Sequence, residues 1–192
     1  VVTGKPVAIG GSLGRKEATG RGVAYLVNRA MDVLKIPASD ATVVIQGFGN
    51  VGFYTAFSLS RHGTKVIAVS DYTGGIHNAR GIHLDELAAH MARNRTVEGF
   101  PGGDHISNAD LLTLPCDILI PAALERQITE KNVDKLKCRI LAEAANGPTT
   151  IEADACLRKS DIFLIPDILC NSGGVVVSYF EWVQDLQNLF WT

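Results

Sequence analysis

Short, continuously apolar runs recur along the chain and are separated by longer segments of mixed polarity. Strands buried on both faces of a parallel sheet show this pattern, because no position along them faces water. The order of runs and intervening segments predicts an α/β fold, a doubly wound, mainly parallel sheet with helices on both faces. The five predicted strands lie at 43–45, 66–69, 118–120, 140–142 and 162–165.

Helical spacing of apolar residues marks several segments outside these strands. It predicts a helix from about Lys16 to Lys35, which Pro37 would end, and a second helix over 84–91. Residues 100–104, with the sequence Phe-Pro-Gly-Gly-Asp, predict a turn before the third strand.

Two short helices are predicted from their N-cap residues. Thr129 is a candidate cap for a helix through Lys137, and Thr149 or Thr150 is a candidate cap for one through Arg158. Each would cover a face of the buried sheet.

The segment 173–191 predicts a last helix that continues to the end of the sequence. Gly173 and Gly174 at its start have a plain interpretation as flexible backbone, but they also leave N–H groups and a positive helix end open to a carboxylate. The helix carries one apolar stripe. The stripe consists of Val176, Phe180, Val183, Leu186 and Phe190.

Three glycines follow the first predicted strand at the spacing of a dinucleotide site. The first permits a tight turn, the second lets the backbone approach a phosphate, and the third lets the next helix pack closely. The spacing alone is weak evidence in a chain with 19 glycines. Its position between a strand and an apolar helix signal predicts a Rossmann-like unit that binds a dinucleotide. The predicted contacts in this loop are Gly47, Phe48, Gly49, Asn50 and Val51.

Asp71 directly follows the second predicted strand, about 20 residues after the glycines. A carboxylate there can accept hydrogen bonds from both hydroxyls of an adenosine ribose, whereas its charge would repel a 2′-phosphate. The alternative is a solvated turn residue.

Residues after the later strands would lie at the same edge of the sheet, where ligands of open parallel sheets bind. Ala122 and Ala123 have small side chains, beside which a ring could pass. Asn146 and Asn171 carry amides that match a nicotinamide carboxamide or a ribose hydroxyl. For Asn146, an ordinary Asn-Gly turn is an equally good interpretation.

Composition excludes several classes of function. The chain has 192 residues, 46% of them hydrophobic, and a formal net charge of −2, which suits one large globular domain. It has no basic cluster for nucleic acid and no apolar stretch of the about 20 residues that cross a bilayer. The start lacks the features of a signal peptide and resembles the middle of a longer protein, so we expect a cytoplasmic location.

The cysteines show no metal-binding spacing, so no metal site is predicted. They are expected to be small buried residues in a reducing compartment. They are Cys116, Cys138, Cys156 and Cys170.

Seven short motifs follow one another along the chain. They are TGKP at 3–6, GGSLGR at 10–15, EATGRGV at 17–23, GFGNVG at 47–52, IPAA at 120–123, EAANGP at 143–148 and NSGGVVVSYFEW at 171–182. Taken together, these motifs resemble those of the cofactor-binding domain of the glutamate dehydrogenases, within the amino-acid dehydrogenases. The resemblance covers nearly the whole chain.

The resemblance implies roles for residues at three places. Arg15 and Thr19 would lie near the nicotinamide, with Asn146 and Asn171 holding it. Asn50 would contact the pyrophosphate or its ribose. Val175 and Ser178 would face the amino-acid substrate, Ser178 through its hydroxyl to the side-chain carboxylate. For Ser178, the alternative is a helical serine that bonds its own backbone.

The resemblance also implies the reaction, the reversible deamination of L-glutamate to 2-oxoglutarate and ammonia with hydride transfer to NAD or NADP. The Ser-Tyr-Phe-Glu-Trp run at 178–182 resembles the glutamate enzymes more than the leucine or phenylalanine ones. No Lys or Arg directly follows Asp71, which favours NAD, although NADP stays possible. Family members are usually hexamers, so a homo-oligomer is expected.

Within that framework, the chain divides into three parts. Residues 1–36 form a lead-in segment and helix, 37–170 the dinucleotide-binding domain, and 171–192 the start of a helix that returns to the substrate cleft. The family's catalytic lysine and aspartate belong to an N-terminal substrate domain, so no catalytic residue is assigned here. We expect these residues alone to bind the dinucleotide without turnover.

Three alternatives stay open at this point. One is a leucine-, phenylalanine- or valine-type dehydrogenase, and another is a dinucleotide-sensing module without catalysis. A nucleotide-methylating enzyme of Rossmann-like fold fits less well, because its cofactor lacks the pyrophosphate that the three glycines suit.

Overall fold

A seven-stranded sheet forms the centre of the computed structural model, which describes residues 1–191. The strands are β1 (Thr42–Gln46), β2 (Lys65–Ser70), β3 (Gly75–His77), β4 (Asp104–Ile106), β5 (Ile118–Pro121), β6 (Ile140–Ala142) and β7 (Phe163–Ile165). They are arranged in the order β4-β3-β2-β1-β5-β6-β7. β1, β2, β5, β6 and β7 run parallel, whereas β3 and β4 add an antiparallel edge.

All five predicted strands are confirmed, and the two strands of the antiparallel edge were not predicted. β3 follows β2 through a tight turn in which the N–H of Asp71 donates to the carbonyl of Gly74, 2.8 Å away. β4 then begins at Asp104, so the turn predicted over 100–104 covers 101–103 and its last residue belongs to a strand.

Helices pack on both faces of the sheet, as predicted. They are α1 (Ala18–Leu34), α2 (Asn50–Ser60), α3 (Leu84–Asn94), α4 (Asn108–Leu112), α5 (Ile151–Leu157), α6 (Asp167–Cys170) and α7 (Gly173–Gln187). One buried apolar cluster lies between the sheet and α1, α2 and α3, and a second lies between the sheet and α4 and α5. The α/β, doubly wound class is therefore confirmed.

Helix ends follow local capping chemistry. α1 ends at Lys35, which adopts left-handed backbone with φ +54°, two residues before Pro37. Thr150 is the cap of α5, because its hydroxyl accepts a hydrogen bond from the N–H of Ala153. Of the two cap candidates for this helix, the second is therefore correct.

The helix predicted between Thr129 and Lys137 is wrong. The segment contains a turn followed by a 3-10 helix over Val133–Lys135. The physical reason is Asn132, whose Oδ1 accepts a hydrogen bond from the N–H of Thr129, at 2.8 Å. Such side-chain bonds compete with the helical backbone ladder.

Helix α7 does not continue to the end of the sequence, as had been predicted. It ends at Gln187, because Asn188 takes left-handed backbone with φ +50° and closes the helix. Most of the predicted apolar stripe lies on the exposed side of this helix, whereas Glu181 and Gln184 are buried.

The cysteines differ in burial, contrary to the single expectation for all four. Cys170 is buried, Cys116 and Cys138 are half-buried, and Cys156 is exposed on α5. Burial raises the pKa of the Cys170 and Cys138 thiols to about 12. Within residues 1–191, none of the helices combines the length and hydropathy that a bilayer crossing needs.

Candidate functional site

The glycine loop joins β1 to α2 and has no room for side chains at two of its glycines. Gly47 has φ +93°, and a Cβ atom there would lie 2.8 Å from the Cβ atom of Ala123. A Cβ atom on Gly52 would collide with the carbonyl oxygen of Gly47. At Gly49, by contrast, a Cβ atom would meet no atom within 4 Å. The loop is therefore tightly packed on its protein side and open at its middle glycine.

Helix α2 presents an uncapped positive end at this opening. Its N-cap residue is Gly49, which has no side chain to bond the first turn, and that turn contains no acidic residue. The first N–H groups of a helix have no partner within the helix, and the helix dipole adds positive potential there. An open backbone approach beside such donors suits the two negative charges of a pyrophosphate. The residues present therefore fit a dinucleotide.

Two residues predicted as contacts in this loop have protein partners. The side chain of Phe48 is buried against Phe53, with ring centroids 5.8 Å apart, and its N–H donates to the carbonyl of Ser70. The amide Nδ2 of Asn50 donates to the carbonyl of Lys16 at 2.7 Å. The Phe48 ring and N–H are thus engaged within the protein, and Asn50 keeps its amide oxygen available.

Asp71 lies just past β2, and the protein itself orients its carboxylate. Oδ1 accepts hydrogen bonds from the N–H and hydroxyl of Thr73, and Oδ2 accepts one from the N–H of Val97, 2.8 Å away. Desolvation alone would raise the pKa of this carboxyl, but these hydrogen bonds outweigh it and hold the pKa below its usual value. Asp71 is thus a turn residue, yet a half-buried, ionised and fixed one.

The two predicted asparagines, Asn146 and Asn171, lie together on the side of β1 opposite to Asp71. The Nδ2 of Asn171 donates to the Oδ1 of Asn146 at 2.8 Å. The turn after Asn146 takes its left-handed backbone at Gly147, with φ +55°, so the asparagine is not needed for that conformation. The N–H of Gly147 donates to Oδ2 of Asp167, 2.8 Å away. Both amides are therefore fixed within one polar group at the strand ends.

Close packing of glycines brings α1 against the start of α7. A Cβ atom on Gly22 would lie 3.2 Å from the Cα atom of Gly173. A Cβ atom on Gly174 would collide with the hydroxyl of Thr19 and lie 3.4 Å from Nη1 of Arg15. Thr19 and Arg15, predicted from sequence as neighbours in one site, are thus placed at the N-terminus of α7.

Arg15 has spare hydrogen-bonding capacity at this junction. Its Nε atom is buried and has no partner among residues 1–191.

Helix α1 also packs closely on α2, since a Cβ atom on Gly20 would lie 2.7 Å from the carbonyl oxygen of Val51. Helix α1 therefore contacts both the helix that follows the glycine loop and the start of α7.

The two predicted substrate contacts differ in availability. Val175 is 71% exposed, so its side chain is free on the surface of α7. The hydroxyl of Ser178 donates to the carbonyl of Gly174, one turn earlier, at 2.9 Å. This is the backbone-bonding geometry that was the alternative for Ser178. The hydroxyl oxygen retains acceptor capacity, and its proton is engaged.

A buried ion pair that sequence inspection missed holds α7 in place. Glu181 is fully buried, and its Oε1 atom lies 2.9 Å from Nζ of Lys5. Nζ also contacts Oδ2 of Asp185 at 2.7 Å. Desolvation alone would raise the pKa of Glu181, but its hydrogen bonds from Lys5 and Gly4 hold it below the usual value. Lys5 belongs to the TGKP motif and Glu181 to the SYFEW motif, but neither motif indicates that the two residues meet.

Glu143 is a second buried acid beside the site, at the end of β6. Burial raises the pKa of its carboxyl, and Oε2 accepts the N–H of Asp167 at 3.0 Å. This contact connects the loop after β6 to the start of α6. It thereby links the loop that carries Asn146 to the helix that precedes Asn171.

Comparison with known proteins identifies relatives over the whole chain. The family model described as Glutamate/Leucine/Phenylalanine/Valine dehydrogenase matches residues 10–192. A glutamate dehydrogenase of Thermotoga maritima is 54% identical over all 192 residues, which correspond to 46% of that protein.

Solved structures agree in fold as well as sequence. A hetero-hexameric glutamate dehydrogenase from Thermus thermophilus, in a leucine-bound form, superposes with a TM-score of 0.91 at 32% identity, covering 100% of this chain and 45% of that one. The glutamate dehydrogenase of Peptoniphilus asaccharolyticus gives a TM-score of 0.81 at 42% identity, covering 99% and 44%. The chain thus spans about half the length of these relatives, and it belongs to the Glutamate/Leucine/Phenylalanine/Valine dehydrogenase family.

Proposed function

We propose that this chain is the dinucleotide-binding part of an enzyme that reversibly deaminates L-glutamate to 2-oxoglutarate and ammonia. The observation that carries the proposal is the open position at Gly49 beside the uncapped start of α2. A pyrophosphate needs close backbone approach and free N–H donors, and both coincide there. When bound, NAD or NADP would supply the nicotinamide that accepts a hydride from the substrate.

The cofactor would extend along the carboxyl edge of the sheet. The glycine loop would hold the pyrophosphate, and Asp71 would face the adenosine ribose. Asn146 and Asn171 would bond the nicotinamide end, where their amides already lie 2.8 Å apart. The small side chains of Ala122 and Ala123 would let the cofactor pass over β5. This course is the one that topology favours for a doubly wound sheet.

The substrate end would lie at the junction of α1 and α7. Arg15, with its unpartnered Nε, and Thr19 would stand beside the nicotinamide. Val175 and Ser178 would face the amino acid, with Ser178 hydrogen-bonding the side-chain carboxylate. To do so, its proton must leave the carbonyl of Gly174, a shift that a hydroxyl rotor makes at low cost.

Glutamate is the proposed substrate rather than leucine, phenylalanine or valine. Support comes from the polar Ser178 in the 178–182 run and from relatives that are named glutamate dehydrogenases. We further propose NAD as the preferred cofactor, because Asp71 is ionised at neutral pH and would repel a 2′-phosphate.

The catalytic acid and base are proposed to lie outside this chain. The relatives are about twice as long, and no lysine here is placed as the family resemblance would require. Hydride transfer needs two domains that close over the substrate, because half a cleft cannot exclude water. A homo-oligomer is proposed for the whole protein; the Thermus relative is described as a hetero-hexamer.

Two experiments test this proposal. The 192-residue chain should bind NADH and show no glutamate-dependent NADH formation, and robust turnover by this chain alone would refute the assignment of the catalytic groups. The longer protein that contains this chain should then be assayed with glutamate, leucine, phenylalanine and valine. A preference for glutamate supports the proposal, and a preference for leucine would replace it with the leucine-type alternative. Absence of turnover with all four would favour a sensing module.

A further inference from the structure

The surroundings of Asp71 contain an ordered chain of hydroxyl groups. The hydroxyl of Thr73 lies 2.5 Å from Oδ1 of Asp71 and 2.6 Å from the hydroxyl of Thr96. Thr96 comes from the loop after α3, 25 positions beyond Asp71. The neighbouring N–H of Val97 bonds the other carboxylate oxygen. The loop at 95–97 therefore packs directly against the predicted ribose site.

The direction of each hydrogen bond in this chain is determined. An ionised carboxylate only accepts, so the single proton of Thr73 must point to Asp71. In the contact between the two hydroxyls, the donor must then be Thr96. The order is Thr96 to Thr73 to Asp71, in which each bond polarises the next toward the negative charge.

These bonds limit what Asp71 can offer a ligand. A carboxylate oxygen accepts about two hydrogen bonds. Oδ1 is filled by the N–H and hydroxyl of Thr73, whereas Oδ2 holds only the N–H of Val97. One acceptor position is left, on Oδ2. Asp71 can therefore bond one ribose hydroxyl without breaking a contact. The sequence had suggested bonds to both hydroxyls.

We infer that Thr73 and Thr96 are positioning residues that fix the Asp71 carboxylate so that Oδ2 receives the 2′-hydroxyl of the adenosine ribose, the hydroxyl that NADPH lacks. The inference rests on the proposed function and deepens it by naming what sets the preference for NADH over NADPH. A 2′-phosphate is mostly a dianion at neutral pH and has little proton to donate to Oδ2. Fixing Oδ2 therefore helps NADH and not NADPH.

The test is a pair of fluorescence titrations, with NADH and with NADPH, on the 192-residue chain and its variants. Thr73→Val removes the hydroxyl while keeping the shape, and it should raise the Kd for NADH about twofold to tenfold, the range of one hydrogen bond. The Kd for NADPH should stay unchanged, so the selectivity ratio, Kd for NADPH divided by Kd for NADH, falls. Thr96→Val should move the ratio in the same direction by less, because Thr73 still reaches Asp71.

Two controls separate positioning from folding. Thr73→Ser keeps the hydroxyl and should restore the wild-type ratio. Thr113→Val removes another threonine hydroxyl, one that donates to the carbonyl of Asp110 and not to Asp71, and should leave both constants unchanged. If Thr73→Val does not fold, the Thr96→Val ratio decides.

The outcomes distinguish this inference from the proposed function. Wild-type chain that binds no NADH refutes the proposed function itself. Wild-type chain that binds NADH, with ratios unaltered in both Thr73→Val and Thr96→Val, overturns the positioning role and leaves the proposed function standing. A lowered ratio in Thr73→Val that is restored in Thr73→Ser supports the inference.

Discussion

The buried carboxylate of Glu181 on α7 lies 2.9 Å from the ammonium group of Lys5, near the start of the chain. Two backbone N–H groups, of Gly4 and Lys5, bond the same carboxylate. The segment before α1 is therefore fastened to the helix that carries Val175 and Ser178. Because α1 also packs on the start of α7, residues 1–36 hold this helix at two places, its first turn and Glu181.

Removing the ammonium group of Lys5 should destabilise the fold more than neutralising the carboxylate of Glu181. Lys5→Met leaves the Glu181 charge buried without a cation, whereas Glu181→Gln removes that charge and keeps hydrogen-bonding atoms. We expect the Tm of Lys5→Met to fall by several degrees and that of Glu181→Gln to fall less. Thermal unfolding followed by circular dichroism measures both. Arg29→Met, which removes an exposed pair with Asp32, is the control and should leave the Tm unchanged.

The same ion pair should make stability depend on pH in a defined direction. The folded-state pKa of Glu181 lies below its ordinary value of 4.5, so its contribution is fully present above pH 4.5 and is lost as the pH falls through the lowered pKa. The Tm advantage of wild type over Glu181→Gln should therefore shrink below pH 4.5. An advantage that grows with acidification would contradict the buried pair.

At alkaline pH, the expected trend comes from Lys5. Its pKa is raised above 10.5 by hydrogen bonds to Asp185 and Glu181, so its contribution is present below pH 10.5 and is lost as the pH rises through the raised value. Above neutral pH, wild type should lose its Tm advantage over Lys5→Met only in that alkaline range. Loss of the advantage near neutral pH would show that another group is responsible.

The glycines of the loop should separate binding from stability. Gly49→Ala places a methyl group in open space, so the fold should be retained while NADH affinity falls at least about tenfold. Gly52→Ala drives a methyl group into the carbonyl of Gly47 and should lower the free energy of unfolding by about 1–3 kcal/mol. Titration with NADH and urea unfolding of both variants check this. Equal NADH affinity in wild type and Gly49→Ala would refute the phosphate position.

Thiol reactivity should follow burial. Cys156 is exposed, whereas burial raises the pKa of Cys170 and Cys138 to about 12 and leaves their thiols protonated at neutral pH. A disulfide reagent at about pH 8 should modify one thiol rapidly in the native chain and all four after denaturation. Cys156→Ser should abolish the rapid phase. A rapid phase that persists would show that Cys116, Cys138 or Cys170 is accessible in the native chain.

Local patterns were sufficient to predict the parallel sheet and the glycine loop. Continuous apolar runs specify buried strands, and the roles of Gly47 and Gly52 depend on neighbours within a few residues. β3 and β4 were missed because each has three residues and no apolar run, and their stability comes from pairing with β2 and with each other.

Contacts between distant positions were beyond local patterns. Thr96 meets the neighbourhood of Asp71 only after α3 returns along the sheet, and Lys5 meets Glu181 across 176 positions. The end of α7 was misjudged for a related reason. Apolar residues at helical spacing run on to Phe190, but Asn188 adopts left-handed backbone and closes the helix first.

The most direct test of the central claim is a matched titration of NADH and NADPH against the 192-residue chain at one ionic strength. We expect saturable binding of NADH at a single site and weaker binding of NADPH. A folded chain that binds no NADH would contradict the dinucleotide site, and equal affinity for the two would contradict the role given to Asp71.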